Sequence, residues 1–263
     1  MSLPVSLRRR GWTEGGLVRL CWAGLSILGV AVLIAVFQVH GPGFDFYAYW
    51  NVDPRNPYVV QVDFGSFKYA PPLAWPATVL HLVPFDIARL GWLGLDVALL
   101  VWLTGRWALA WCAFLPVSSE LFHGNVHLVM AALLAAGWSS LLPLAKPSTI
   151  VVAVADLALG RGRVALVLAV AVVAVSLVVQ PATWVEWIHY LLQISPEFGG
   201  DARIAIPLVV RMMVATALSF AAWRWRTPWL LAPALALSLP IMWIHGLSVL
   251  AAIPRLRRAA VGA

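Results

Sequence analysis

Charge is scarce in this sequence. Only 11% of its 263 residues are Asp, Glu, Lys or Arg, against about 25% in a soluble globular domain. A chain that is also 62% hydrophobic is neither an ordinary soluble domain nor a disordered one. Cysteine is almost absent: Cys21 and Cys112 both sit in apolar stretches, so neither a disulfide framework nor a zinc site is expected. Lysine is equally rare, for the 18 cations are sixteen arginines plus Lys68 and Lys146. There is no internal repeat, and the only biased tract is the Ala/Val run at 164–179. The net charge of +7 on a chain of mean hydropathy +0.87 fits loop charge on a membrane protein and not a nucleic-acid binder. These properties predict an all-α, polytopic transmembrane protein.

Apolar runs occupy 17–37, 70–85, 87–104, 107–122 and 127–144, and then 148–160, 164–180, 204–222, 228–240 and 242–254. A full crossing takes about 20 residues, so the shorter runs are expected to be tilted, half-length or re-entrant, which leaves about 8–10 membrane segments. With the N-terminus cytoplasmic and every run crossing, Arg8, Arg9, Arg10, Arg19, Arg89, Arg161, Arg163, Arg224, Arg226, Arg255, Arg257 and Arg258 fall inside. Arg55, Lys68, Arg106, Lys146 and Arg203 fall outside, an asymmetry that obeys the positive-inside rule. The expected layout is a single integral domain over 1–263, in the plasma (inner) membrane. It has a basic cytoplasmic N-terminus (1–16), extracytoplasmic loops at 38–69 and 181–203, and a cytoplasmic tail (255–263). The run at 17–37 is too long for a signal-peptide core.

Both outer loops mix aromatic rings with carboxylates: Asp45, Asp53 and Asp63 in the first, Glu186, Glu197 and Asp201 in the second. Asp45 follows the first apolar run by a few residues, at the expected outer membrane surface, and Tyr47, Tyr49 and Trp50 come straight after it. A carboxylate in that place suits a general base, and flat rings suit the C–H face of a sugar or an isoprenoid. The stretch 41–85 reads D-x-x-x-Y-W at Asp45, Tyr49 and Trp50, then N-P-Y at Asn56, Pro57 and Tyr58, then F-x-Y-x-P at Phe67, Tyr69 and Pro71. Gly124 and Asn125 precede an apolar run, Lys146 and Pro147 form a K-P element, and Pro240, Trp243 and His245 form P-x-x-W-x-H.

In these elements and their order the chain resembles the GT-C membrane glycosyltransferases that use polyprenyl-phosphate sugars, in particular the family 87 (DUF2029) alpha-mannosyltransferases. The resemblance implies a GT-C-like fold with an extracytoplasmic first loop. It also implies inverting transfer of a sugar, expected to be mannose, from a polyprenyl-monophosphate donor to a lipid or glycan hydroxyl on the outer face. Asp45 matches the family's base. Cations near the departing phosphate matter in a water-poor site, which makes Lys146, His245, Lys68 and Arg211 the expected phosphate contacts. Tyr49, Trp50, Tyr58, Tyr69, Asn125 and Trp243 are the expected sugar and acceptor contacts. No cofactor and no metal are expected, because protein cations can cover a monophosphate.

Several polar residues inside apolar runs have a second reading. Arg211 can pair with Asp96 or Asp156 in place of a phosphate. Glu120, His123 and His127 sit at a helix junction; His123 and His127 are four apart, but no second ligand cluster accompanies them. His40, His81 and His189 read as interfacial. Residues 183–194 read as an amphipathic interfacial helix, a lid over acceptor or lipid. The chain is shorter than the family's members. The alternative is therefore a catalytically silent or partner-dependent GT-C-like protein of cell-envelope assembly, with a partner membrane subunit. A small transporter would show inverted repeats and facing mid-membrane charges, and the carboxylates crowd the outer loops instead.

Overall fold

The computed structural model describes residues 14–39, 43–58, 67–193, 204 and 206–261. Arg8, Arg9, Arg10, His40, Asp63, Glu197, Asp201 and Arg203 therefore lie outside the described residues. In chain order the main helices are α1 (Glu14–Val39), α2 (Phe44–Trp50), α3 (Phe85–Thr104), α4 (Leu115–His123), α5 (His127–Ala135) and α6 (Ile150–Ala158). They continue with α7 (Arg163–Val179), α8 (Pro181–Gln193), α9 (Leu208–Arg224), α10 (Leu231–Ser238) and α11 (Ile253–Val261). A 3₁₀ helix, Ile244–Ala252, joins the last two. The described residues contain no strand.

Among the described residues, two helical stretches are long and apolar enough to cross a membrane, Val18–Gln38 and Phe85–Trp111, or three if the bent pair of α7 and α8 counts as one span. The ten apolar runs thus do not become ten crossing helices. Proline and glycine account for the difference. Pro84 caps α3 at ψ 141 and Gly105 ends it at φ 68. Pro116 opens α4, and Gly124 ends that helix in the left-handed region at φ 68. Proline lacks the amide that would continue a helix, and only glycine takes positive φ without a steric cost. The runs at 70–85 and 142–149 break up in the same way into single turns at Pro71–Ala74, Ala77–Leu80, Leu142–Ala145 and Pro147–Thr149.

α1 exposes Val18, Leu20, Ile27, Leu28 and Ile34. Such a surface is compatible with a lipid surrounding. Its inner side runs along the turn Ala108–Trp111 and along α4. Gly29 makes the closest approach, since a Cβ there would overlap the Leu109 carbonyl oxygen, whereas Gly24 has nothing within 4 Å. Gly29→Leu is expected to destabilise by at least about 1–3 kcal/mol through overpacking. Gly24→Ala should be neutral or stabilising, by up to about 1 kcal/mol of helix propensity. Thermal unfolding in detergent reads both, and equal effects would place the α1 contact elsewhere.

The core is built on fully buried Leu103, Leu128, Leu134, Leu231, Leu235 and Leu256. Between α9 and α10 half of the buried residues are alanines, among them Ala215, Ala222, Ala232 and Ala236. Lipid tails are as apolar as leucine, so association here depends on close backbone approach, which small side chains permit. A second cluster gathers Tyr58, Phe67, Tyr69, Ala74, Trp187 and Tyr190. α8 turns 105° from α7 at Gln180. It buries Thr183, Trp187 and Tyr190 on this cluster and leaves Val185, Ile188 and Leu192 exposed. The candidate site lies where the 3₁₀ helix packs on α4 and α5.

Candidate functional site

Two glycines set the position of Asp45. Gly43 precedes α2 at φ 89, and its amide donates to the Phe122 carbonyl at 2.7 Å. That bond fastens the start of α2 to the end of α4. Gly124 then turns the chain out of α4, so close to α2 that a Cβ would stand 3.0 Å from the Phe46 Cβ. Asp45 in the first turn of α2 is thereby brought against Asn125, 80 residues further along.

Asn125 is the hub of the site. Its Oδ1 accepts the Val126 amide at 2.7 Å and the Tyr49 hydroxyl at 3.0 Å, with the Tyr69 hydroxyl at 3.5 Å. An amide N–H can only meet the carbonyl end, so the orientation of the side chain is determined. Nδ2 consequently faces Asp45 and donates to its Oδ2 at 2.8 Å. The Tyr49 and Tyr69 hydroxyls lie 2.7 Å apart. Burial pushes both phenols well above their ordinary value, so both remain protonated donors at physiological pH. The Asp45 side chain keeps 22% of its surface exposed, which leaves a face of the carboxylate open to a ligand.

His245 closes the other side. Its Nε2 is 3.7 Å from the Asp45 Oδ2 and 3.4 Å from the Asn125 Nδ2. The ring stacks on Trp243 at 8° between planes and on His123 with centroids 5.1 Å apart. The His127 ring is 5.3 Å away by the same measure. His123 itself turns its Nδ1 to the Ser119 carbonyl at 2.7 Å.

Lys146 follows the turn Leu142–Ala145 and holds its Nζ 4.5 Å from the centroid of the Tyr69 ring. Burial, reinforced by the charge of Lys68 and opposed by those of Asp45 and Glu120, lowers its ammonium to about 8. The charge of Lys68 thus acts on Lys146. Two like charges held together in a partly dehydrated place are stabilised by an anion between them. The Lys68 carbonyl lies 3.4 Å from the Trp187 indole nitrogen, which ties this segment to α8.

Asp45, Asn125, Tyr49, Tyr69, His245, Trp243 and Lys146 thus share one locality, with Lys68 beside it. Three other expected contacts are engaged elsewhere. The Trp50 indole donates to the Val83 carbonyl at 3.0 Å and packs on His81 and Phe85. The Tyr58 hydroxyl donates to the Tyr69 carbonyl at 2.6 Å, bracing the loop from below. The Arg211 guanidinium donates to the carbonyls of Ile206, Leu237, Leu239 and Pro240, gathering in the end of α10 and the turn that leads to Trp243. It pairs with neither aspartate considered for it. Asp156 accepts from Ser139 at 2.7 Å and faces Arg161 at 3.4 Å; both Asp96 oxygens are without a hydrogen-bond partner among the described residues. Arg211→Met is expected to destabilise by about 3 kcal/mol or more, since hydrogen bonds from a charged donor contribute about 1.5–3 kcal/mol each. A melting curve measures that loss. A raised donor KM with unchanged stability would instead make Arg211 a ligand contact.

Glu120 and His127, two of the polar residues noted at the helix junction, complete the surroundings. The Glu120 Oε1 accepts the His127 amide at 2.6 Å, at the start of α5 where exposed N–H groups favour an anion. Its Oε2 is 3.0 Å from the His127 Nδ1. Glu120, His127 and His245 are all buried, and one ligand atom from each falls within 4.8 Å of the others. The pair His123 and His127, four apart, does not act together: His123 turns to Ser119 and His127 to Glu120. Comparison with protein-family models, curated proteins and solved structures finds no match to this chain.

Proposed function

We propose that the chain is a membrane glycosyltransferase of GT-C-like fold. It would move a sugar from a polyprenyl-monophosphate donor to a lipid or glycan hydroxyl, with inversion, on the extracytoplasmic face and with both termini cytoplasmic. The observation that carries this reading is a half-buried carboxylate, Asp45, oriented by Asn125 within the same aromatic pocket that holds the Lys146 ammonium over Tyr69. Base and phosphate cation are the two groups such a transfer needs. Asp45 takes the proton of the acceptor hydroxyl as its oxygen attacks the anomeric carbon, and the bond from that carbon to the phosphate oxygen breaks on the opposite side. The lipid phosphate departs with the bonding pair, and Lys146 with Lys68 balances its charge. The Tyr49 and Tyr69 hydroxyls, whose protons are used on Asn125 and on each other, offer lone pairs to sugar hydroxyls. Trp243, stacked on His245, offers an apolar face.

The test is transfer from radiolabelled polyprenyl-phosphate mannose, and from the arabinose analogue, by membranes containing the wild-type protein. Labelled product that depends on the protein supports the reading. Absence of transfer from both donors overturns it. If polyprenyl phosphate still binds under those conditions, the silent, partner-dependent role replaces it.

A further inference from the structure

We propose that Glu120, His127 and His245 form a binding site for a divalent transition metal, with Zn²⁺ the best match, directly behind the Asp45 pocket. Two imidazoles and one carboxylate are a donor set typical of zinc sites that keep a fourth position open. Imidazole nitrogens select Zn, Cu, Fe or Ni over the oxygen-loving Mg²⁺ and Ca²⁺. The ligand atoms lie within 4.8 Å of one another. Tetrahedral zinc with bonds of about 2.0–2.2 Å needs them closer by about an ångström, a distance that small rotations of the two rings cover.

Three features of the surroundings favour a metal over a chance cluster. All three side chains are buried, so water does not compete for the donor atoms. They come from three separate elements, the last turn of α4, the first residue of α5 and the 3₁₀ helix Ile244–Ala252, which a bound ion would hold together. The His127 Nδ1 and the Glu120 Oε2 already stand 3.0 Å apart, near the spacing of two ligands on one tetrahedral ion, and a bound metal would replace the proton between them. On the open side, the Asp45 Oδ2 lies 3.7 Å from the His245 Nε2, so Asp45 is next to the vacant coordination position. Gly246 leaves this wall room, as a Cβ there would stand 2.8 Å from Leu239 Cδ1 and 3.8 Å from His127 Nε2.

This inference does not rest on the glycosyl-transfer reading, and its test contains no transfer step. The full-length protein is purified in detergent through a tag that lacks histidine, and its metal content is measured by mass spectrometry. Zn²⁺ and Co²⁺ are then titrated into chelator-treated protein, with the visible absorption of tetrahedral Co²⁺ as the signal. About one equivalent is expected, weakened at least tenfold by His127→Ala and by His245→Ala. His123→Ala is the control: it removes a ring that stacks on His245 but is outside the donor set, and it should keep the metal. No binding by the wild-type protein overturns the proposal whatever the variants do. So does binding that survives both the His127 and the His245 substitution, or binding lost only in His123→Ala.

Discussion

Asp45→Asn is expected to lower sugar transfer by about 10²–10⁴-fold, the usual contribution of a positioned general base, while the protein keeps its fold and its affinity for the donor. The substitution isolates proton uptake because so little else changes. The carboxamide retains an oxygen to accept the Asn125 N–H, a bond of 2.8 Å in the native protein, and the volume of the side chain is conserved. Asp53 provides the control. It is exposed, and its carboxylate accepts the amide of Arg55 at 2.9 Å, a local turn remote in role from the pocket. Asp53→Asn should therefore leave the rate within a factor of two. Initial rates at saturating donor decide the matter. Transfer preserved in Asp45→Asn but lost in Asp53→Asn would move the base into the loop.

The second large effect concerns Lys146. Lys146→Ala is expected to lower kcat/KM for the donor by about 10²–10³-fold, as removal of one group that stabilises developing charge does in a water-poor site. The KM for the acceptor should stay near its wild-type value. The pH dependence gives a separate signature. Burial, helped by Lys68, has brought this ammonium from its ordinary 10.5 to about 8. Only the charged form attracts phosphate, so donor capture is complete below pH 8 and is lost as the pH rises through that value. Bound phosphate favours the charged ammonium, and the descending limb of kcat should therefore lie at higher pH than that of kcat/KM. Lys146→Arg keeps its charge at every accessible pH. It should recover part of the donor affinity and flatten the alkaline limb. An alkaline limb unchanged in Lys146→Arg would show that another group titrates there.

The broad class of the molecule is legible from composition. Low charge and long apolar runs point to helices, the form in which a bilayer leaves no backbone group unpaired, and the described residues are helical with two stretches long and apolar enough to cross. Chain breaks are legible too: Pro84, Gly105, Pro116 and Gly124 end or begin helices by their own geometry. The number of crossings is not. A run of apolar residues such as 127–144 satisfies a length rule, yet α5 stops at Ala135 and the chain turns at Gly137, which has φ 78.

Order along the chain pointed to Asp45, Tyr49, Tyr69, Asn125, Lys146, Trp243 and His245, which the fold brings into one locality. It could not separate them from Trp50, Tyr58 and Arg211, which use their donors on backbone carbonyls. The same limit kept Glu120 and His127 apart from His245, which packing brings beside them. Helix breaks and hydropathy are decided by the residue itself and its neighbours within a turn or two, so they survive in the one-dimensional text. Which donor meets which acceptor is decided by packing between elements. Asn125 reaches back 80 residues to Asp45 and forward 120 to His245, and only the folded chain brings those three together.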